Sequence, residues 1–271
     1  MEQRNGAGVP VGRVTATLAV ICGVLALLGG VSQAVFIWRP GLPGADTLVD
    51  LFWVNHEQTV WTWASSVLEL GCAVLLAVIW ASQRRRDPWF ARYWLGLAVL
   101  FLAMSVDDVA MFHERSERAL TWLETTGVFY FKWTLLALPF VLVVGLIYLR
   151  FLLKLPGWVR WRIVLAGGLF VGGAVGLEMV NSHIGYHQGE SPLYQANTLV
   201  EECVEQAGLI VFIHVLLRYL AAAGVTWQVR FADEAVQTDA HPEQPAAVDR
   251  LPTGARPAAP AGAKLPYTTR L

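Results

Sequence analysis

The chain is poor in charge. Asp, Glu, Lys and Arg make up 15% of its residues, where an average soluble domain carries about 25%. That deficit argues against an ordinary soluble globular domain. Cysteine is equally sparse: Cys22, Cys72 and Cys203 lie inside or at the edge of apolar blocks, with no pairing spacing. They exclude a disulfide framework and read as small core residues. There is no glycine-rich phosphate loop, no internal repeat and no inverted symmetry of the kind found in many transporters. The net charge of −1 points to no partner by itself, and no nucleic acid is expected as one.

What the chain has in quantity is apolar sequence. Hydrophobic residues reach 55% and fall in blocks of about twenty, the length that crosses about 30 Å of hydrocarbon. Six such blocks, at about 14–38, 59–82, 91–112, 128–150, 162–181 and 199–222, predict an all-α polytopic membrane protein, a bundle of six transmembrane helices. Arg13 before an apolar run and Ser32-Gln33-Ala34 mimic a signal peptide. The run from Thr15 to Trp38 is longer than a typical signal core, so an uncleaved first span is expected. The domain plan is then a short cytoplasmic segment at 1–13, the membrane domain at 14–231, and a tail at 232–271. That tail is rich in Ala, Pro, Gln and Thr, too poor in apolar area to offset ordering entropy.

Basic residues set the expected orientation. Arg13, Arg84-Arg85-Arg86, Arg92, Arg150, Lys154, Arg160, Arg162 and Arg218 all fall at one end if the spans number six. Both termini are therefore expected in the cytoplasm and the chain in the plasma membrane of a bacterium. Eleven of the twelve tryptophans agree with two interfacial belts, Trp38, Trp53, Trp61, Trp122 and Trp133 at the outer boundary, and Trp80, Trp89, Trp94, Trp158, Trp161 and Trp227 at the inner one, with Trp63 somewhat deeper. Gly168, Gly172 and Gly176, spaced by four in the fifth span, read as close packing inside the bundle, with a homodimer face as the alternative. Pro139 is expected to kink the fourth span.

Ionisable residues inside spans are costly and usually face a bundle interior. Here they gather at the outer ends of four spans. The second opens with Asn55 and His56, and Asn55, Thr59, Thr62, Ser66 and Glu69 form one polar stripe. The third ends with Asp107, His113, Glu114 and Glu117 on one broad sector, Asp108 pointing elsewhere. The fifth ends with Glu178, Asn181 and Ser182, followed by His183 and His187 in a loop. The sixth opens with Glu201, Glu202 and Glu205, acids that would repel one another unless a cation lay between them. All four ends meet one leaflet, so an acidic pocket is expected there, with Arg115, Arg118 and Lys132 nearby.

Asp107-Asp108-x4-His113-Glu114 followed by Glu201-Glu202-x2-Glu205 resembles a group of uncharacterised bacterial multi-pass membrane proteins, a likeness that brings no activity with it. A fainter pattern is similar to the ceramidase and progestin-receptor superfamily of membrane hydrolases. That resemblance implies a zinc site built from Ser66, Asp107 and His183/His187. This chain departs from it in having six spans rather than seven, with His183-x3-His187 before the last one.

Mixed imidazole and carboxylate donors suit a divalent transition metal, whether zinc, iron or manganese. The leading expectation is a metal-dependent hydrolase of a lipid or other amphiphilic substrate. Its metal ligands would be His113, Glu114, Glu201, Glu205, Glu202 and His183, with Asp107 and Glu178 catalytic. The alternatives are a proton- or cation-coupled transporter using Glu69, and a non-catalytic scaffold or assembly factor.

Overall fold

The computed structural model describes residues 9–39, 41–56 and 58–225, without the side chains of Glu114 and Glu117. The expected tail at 232–271, most of the 1–13 segment and Trp227 lie outside the described residues.

Six helices are long and apolar enough to cross a membrane, and the chain is an all-α multi-pass bundle. They are α1 (Val11–Trp38), α3 (Val60–Gln83), α4 (Pro88–Ala110), α6 (Thr134–Lys154), the continuous stretch Gly157–Gln188, and α9 (Pro192–Ala222). Short helices α2 (Ala45–Phe52) and α5 (Phe112–Ala119) sit in the connections, and a 3-10 turn at Gly127–Phe129 precedes α6. The stretch Gly157–Gln188 is itself composite. It consists of α7 (Gly157–Val171), a π-helical turn at Gly172–Leu177, and α8 (Glu178–Gln188).

Helix ends follow local chemistry. Asp87 caps α4 by accepting from the Phe90 N–H at 2.9 Å, with Pro88 in the first turn. Proline tolerates that position because its missing N–H would be an orphan there anyway. Thr59 accepts from the Thr62 N–H at 3.4 Å, so α3 starts after Asn55 and His56, which lie before the helix rather than on it. Ser191 and Pro192 start α9 well before the expected residue 199. Its first turns are too polar to register as apolar sequence. In the same way α8 continues through His183 to Gln188, so the two histidines are helical rather than in a loop.

α9 is the hub, packed against α1, α3, α7 and α8. The apolar core joins Leu76 and Ile79 of α3, Trp94 of α4, Phe151 of α6, and Val215 and Leu216 of α9, all fully buried. Two glycines let α7 and the π turn approach α9 backbone to backbone. A Cβ on Gly208 would lie 2.8 Å from the Phe170 nitrogen and 2.9 Å from the Ala166 oxygen, and one on Gly173 would lie 2.5 Å from Glu205 Cγ. Gly168, Gly172 and Gly176, expected to pack inside the bundle, instead have nothing within 4 Å of such a Cβ. The four-residue spacing marks one face, and that face looks outward. The tryptophan belts are also only partly kept. Trp38, Trp122 and Trp161 are exposed, but Trp53, Trp61 and Trp94 are at most 2% exposed and belong to the interior.

Gly208→Ala is expected to lower stability by about 1–3 kcal/mol, the usual cost of overpacking against backbone that cannot move aside. Gly168→Ala should be neutral within about 0.5 kcal/mol. Thermal unfolding of the two variants in detergent compares them directly.

Candidate functional site

α3 and α4 are clamped by a pair of serines. Ser66 Oγ donates to the Ser105 carbonyl at 2.8 Å, Ser105 Oγ donates to the Ser66 carbonyl at 2.9 Å, and the hydroxyls lie 3.0 Å apart. Both are buried. One turn beyond each serine is an acid, Glu69 on α3 and Asp108 on α4. Asp108 is the ionisable group that acts most strongly on Glu69, followed by Asp107 and Glu202. Glu69 is 3% exposed, and its Oε2 is buried without a hydrogen-bond partner. Asp108, expected to point away from the cluster, is thus its direct link to α3.

On the opposite wall α8 meets α9 through Asn181, which is 1% exposed. Its Nδ2 donates to Glu201 Oε2 at 2.7 Å and to Thr198 Oγ1 at 3.0 Å, while its Oδ1 accepts from Asn197 at 2.8 Å. Glu178, one turn earlier, is the charged group that acts most strongly on Glu201 and accepts from Trp133 Nε1 at 3.1 Å. Glu202 accepts from Trp61 Nε1 at 2.6 Å. Glu205 lies against Gly173, and the ionisable groups acting most strongly on it are Glu202, Glu201, Asp108 and Glu178. Acids from α3, α4, α8 and α9 therefore form one continuous cluster. Gln206 completes the seam to α3, donating to Ser65 Oγ at 3.1 Å, with its own Oε1 buried and unpartnered.

The cluster has a half-exposed edge. Met111 adopts a left-handed conformation (φ 54°) between α4 and α5, which brings His113 back over Asp107. Asp107 accepts from the His113 backbone N–H at 3.1 Å and contacts Nδ1 at 2.9 Å. Such a carboxylate contact fixes the ring and leaves Nε2 as the nitrogen for a metal or a proton. The imidazole meets Trp133 edge to face at 5.4 Å, so Trp133 touches both His113 and Glu178.

The remaining expected residues lie elsewhere. Asn55 accepts from the Tyr194 hydroxyl at 3.3 Å, His56 stacks on Trp53, and Thr59 and Thr62 serve the start of α3. His183 and His187 are exposed on α8 with ring centroids 4.5 Å apart. Arg115 and Arg118 are exposed on α5. The Glu114 side chain lies outside the described residues. Among the described residues no three His, Cys, Asp or Glu side chains already stand in a metal-ready arrangement. Trp61, Ser65, Ser105, Trp133 and Gln206 were missed at the sequence level. Ser65 and Gln206 had a signal, since they sit one turn from Glu69 and Glu202 on the same helix faces.

A family model described as Domain of unknown function (DUF8692) matches residues 16–238. The chain belongs to that family. The match takes in almost the whole bundle, from the first turns of α1 past the end of α9, and so includes every residue of the cluster. No curated protein and no solved structure matches the chain.

Asn181→Leu should destabilise the protein by about 1–2 kcal/mol, because it strips the bond to Glu201 and leaves buried partners on α9 unsatisfied. Ser191→Ala, which removes only a half-buried cap, should cost about half as much. Thermal midpoints in detergent report both.

Proposed function

We propose that this membrane protein binds a divalent cation among the carboxyls of α3, α4, α8 and α9, and uses it as a metal-dependent hydrolase of a lipid or other amphiphilic substrate. The observation that carries the reading is Glu69, 3% exposed, facing Asp108, with one carboxyl oxygen buried and unpartnered. A buried acid needs a proton, a donor or a cation. A shared cation answers that need for several facing carboxyls at once. Glu69, Asp108, Glu201, Glu202 and Glu205 are the oxygen donors of the proposed site, and His113 offers Nε2 at its edge. A donor set of carboxylates with one imidazole suits manganese, iron or zinc.

Such an ion lowers the pKa of a bound water to about 7 and polarises an ester or phosphoryl oxygen. Asp107, tied to His113, and Glu178, held by Trp133, are the groups placed to accept a proton from that water. The half-exposed edge of the cluster at Asp107 and His113 suits an amphiphile entering from the adjoining leaflet. In this reading that leaflet is the extracytoplasmic one, because the basic residues gather at the other end.

A second reading, proton- or cation-coupled transport, is favoured by the depth of Glu69. It lies nine residues along α3 from Val60, about 14 Å at 1.5 Å per residue, which is far inside for a site that only meets substrate at the surface.

Elemental analysis of the full chain, purified in detergent without chelators, separates these cases. The hydrolase reading expects a stoichiometric transition metal in the wild type and loss of most of it in Glu69→Gln/Glu205→Gln, with both proteins still melting cooperatively. A wild type that stays at background after reconstitution with manganese, iron and zinc rules out the metal site. The transport reading then stands or falls on whether Glu69→Gln abolishes cation or proton flux in liposomes.

A further inference from the structure

The opposite end of the bundle carries a second feature, which owes nothing to the carboxyl cluster. Trp89, in the first turn of α4, is flanked by two cations from different helices. Lys154 Nζ, at the end of α6, lies 4.4 Å from its ring centroid, and the Arg92 guanidinium lies 4.7 Å from it. Arg92 also approaches the Tyr93 ring at 5.5 Å. Both cations and the indole are exposed. An indole face attracts a cation, but two positive charges held at one ring repel each other. The acid nearest in sequence, Asp87, accepts from the Phe90 N–H and caps α4. It is the only acid in the segments from Ser82 to Tyr93 and from Tyr148 to Ile163, which also hold Arg84, Arg85, Arg86, Arg150, Arg160 and Arg162.

The floor beneath the two cations is rigid. Phe151 is fully buried and packs against the rings of Phe90, Tyr93, Trp94 and Tyr148 at centroid distances of 4.9 to 5.9 Å. The Tyr148 hydroxyl donates to the Tyr93 carbonyl at 3.1 Å and lies directly against Gly96. α4 and α6 are thereby held together at this level. Further along the same two helices, towards the middle of the membrane, Leu95, Val99, Leu142 and Leu146 are exposed apolar side chains.

We infer that Arg92 and Lys154, set around Trp89, bind the headgroup phosphate of an anionic phospholipid whose acyl chain runs along the exposed apolar faces of α4 and α6. Charge, depth and shape agree on this occupant. A guanidinium pairs with phosphate through two parallel hydrogen bonds, an ammonium adds a point charge, and an anion between them removes their mutual repulsion. Tryptophan beside basic residues is the usual furniture of the headgroup level, and basic pockets between spans favour anionic lipids. A free phosphate would use the cations but leave the apolar faces unused.

The test uses the full chain in neutral detergent, titrated with phosphatidylglycerol, with phosphatidylcholine, or with inorganic phosphate. Thermal unfolding and native mass spectrometry are the readouts. Phosphatidylglycerol should raise the midpoint and remain bound, while phosphatidylcholine and phosphate should do neither. Arg92→Gln/Lys154→Gln should weaken phosphatidylglycerol binding about thirtyfold, two surface cations' worth, with an unchanged lipid-free midpoint. Lys154→Arg and the control Arg85→Gln should retain it. Equal binding of phosphatidylcholine, full binding by the double variant, or an equal effect of inorganic phosphate would each overturn the inference. Because every substituted side chain is exposed, a lowered lipid-free midpoint in the double variant would also count against it, by giving the two cations a structural role.

Discussion

A carboxyl group buried among apolar helices has to be given a proton, a hydrogen-bond donor or a cation, since hydrocarbon offers no water to solvate it. Much of the design of this protein answers that need. Trp61 and Trp133, whose indoles would be at home among lipid headgroups, instead send their N–H groups inward to Glu202 and Glu178. Asn181 spends both amide protons on α9, one of them on Glu201. These donors are neutral. They orient the acids by hydrogen bonding alone, whereas Asp107 at the edge of the cluster pairs with the His113 imidazole.

Holding so many acids together also constrains the packing around them. The two serines joining α3 to α4 draw the helices close just where Glu69 and Asp108 must meet, and Gly173 and Gly208 do the same for the π turn and α7 against α9. Larger residues at these points would push apart the walls that carry those carboxyls. The apolar core centred on Leu76, Trp94 and Leu216 lies towards the other end of the spans, so the cluster rests on a well-packed base.

The spans were readable from sequence because an apolar run reports directly on its surroundings. Their ends were less so. The polar first turns of α9 stand outside the hydrophobic signal, and only the Ser191-Pro192 pair betrays them. Glu69, Glu201 and Glu205 stood out as acids in apolar stretches. Asp108 did not, because a helical wheel gives the angle of a side chain but not which neighbour fills that direction. The same limit explains Gly168, Gly172 and Gly176. Periodicity finds the small-residue face, and only the packed bundle says that it looks outward. The tryptophans were assigned to belts by position along the chain, whereas burial of Trp53, Trp61 and Trp94 depends on which way each ring turns.

The π turn at Gly172–Leu177 sets the rotational phase of everything after it. A single inserted residue advances a helix by about 100°, and a π turn accommodates such a residue without breaking the rod. α7 and α8 can therefore obey different neighbours. The first follows the apolar core with Val159 and Ala166, and the second follows the acids with Glu178 and Asn181. Tightening that turn into regular α-helix would leave a span of the same length and hydrophobicity, yet it would swing Glu178 and Asn181 away from Glu201. A hydropathy profile would register no difference, although one wall of the cluster would be gone.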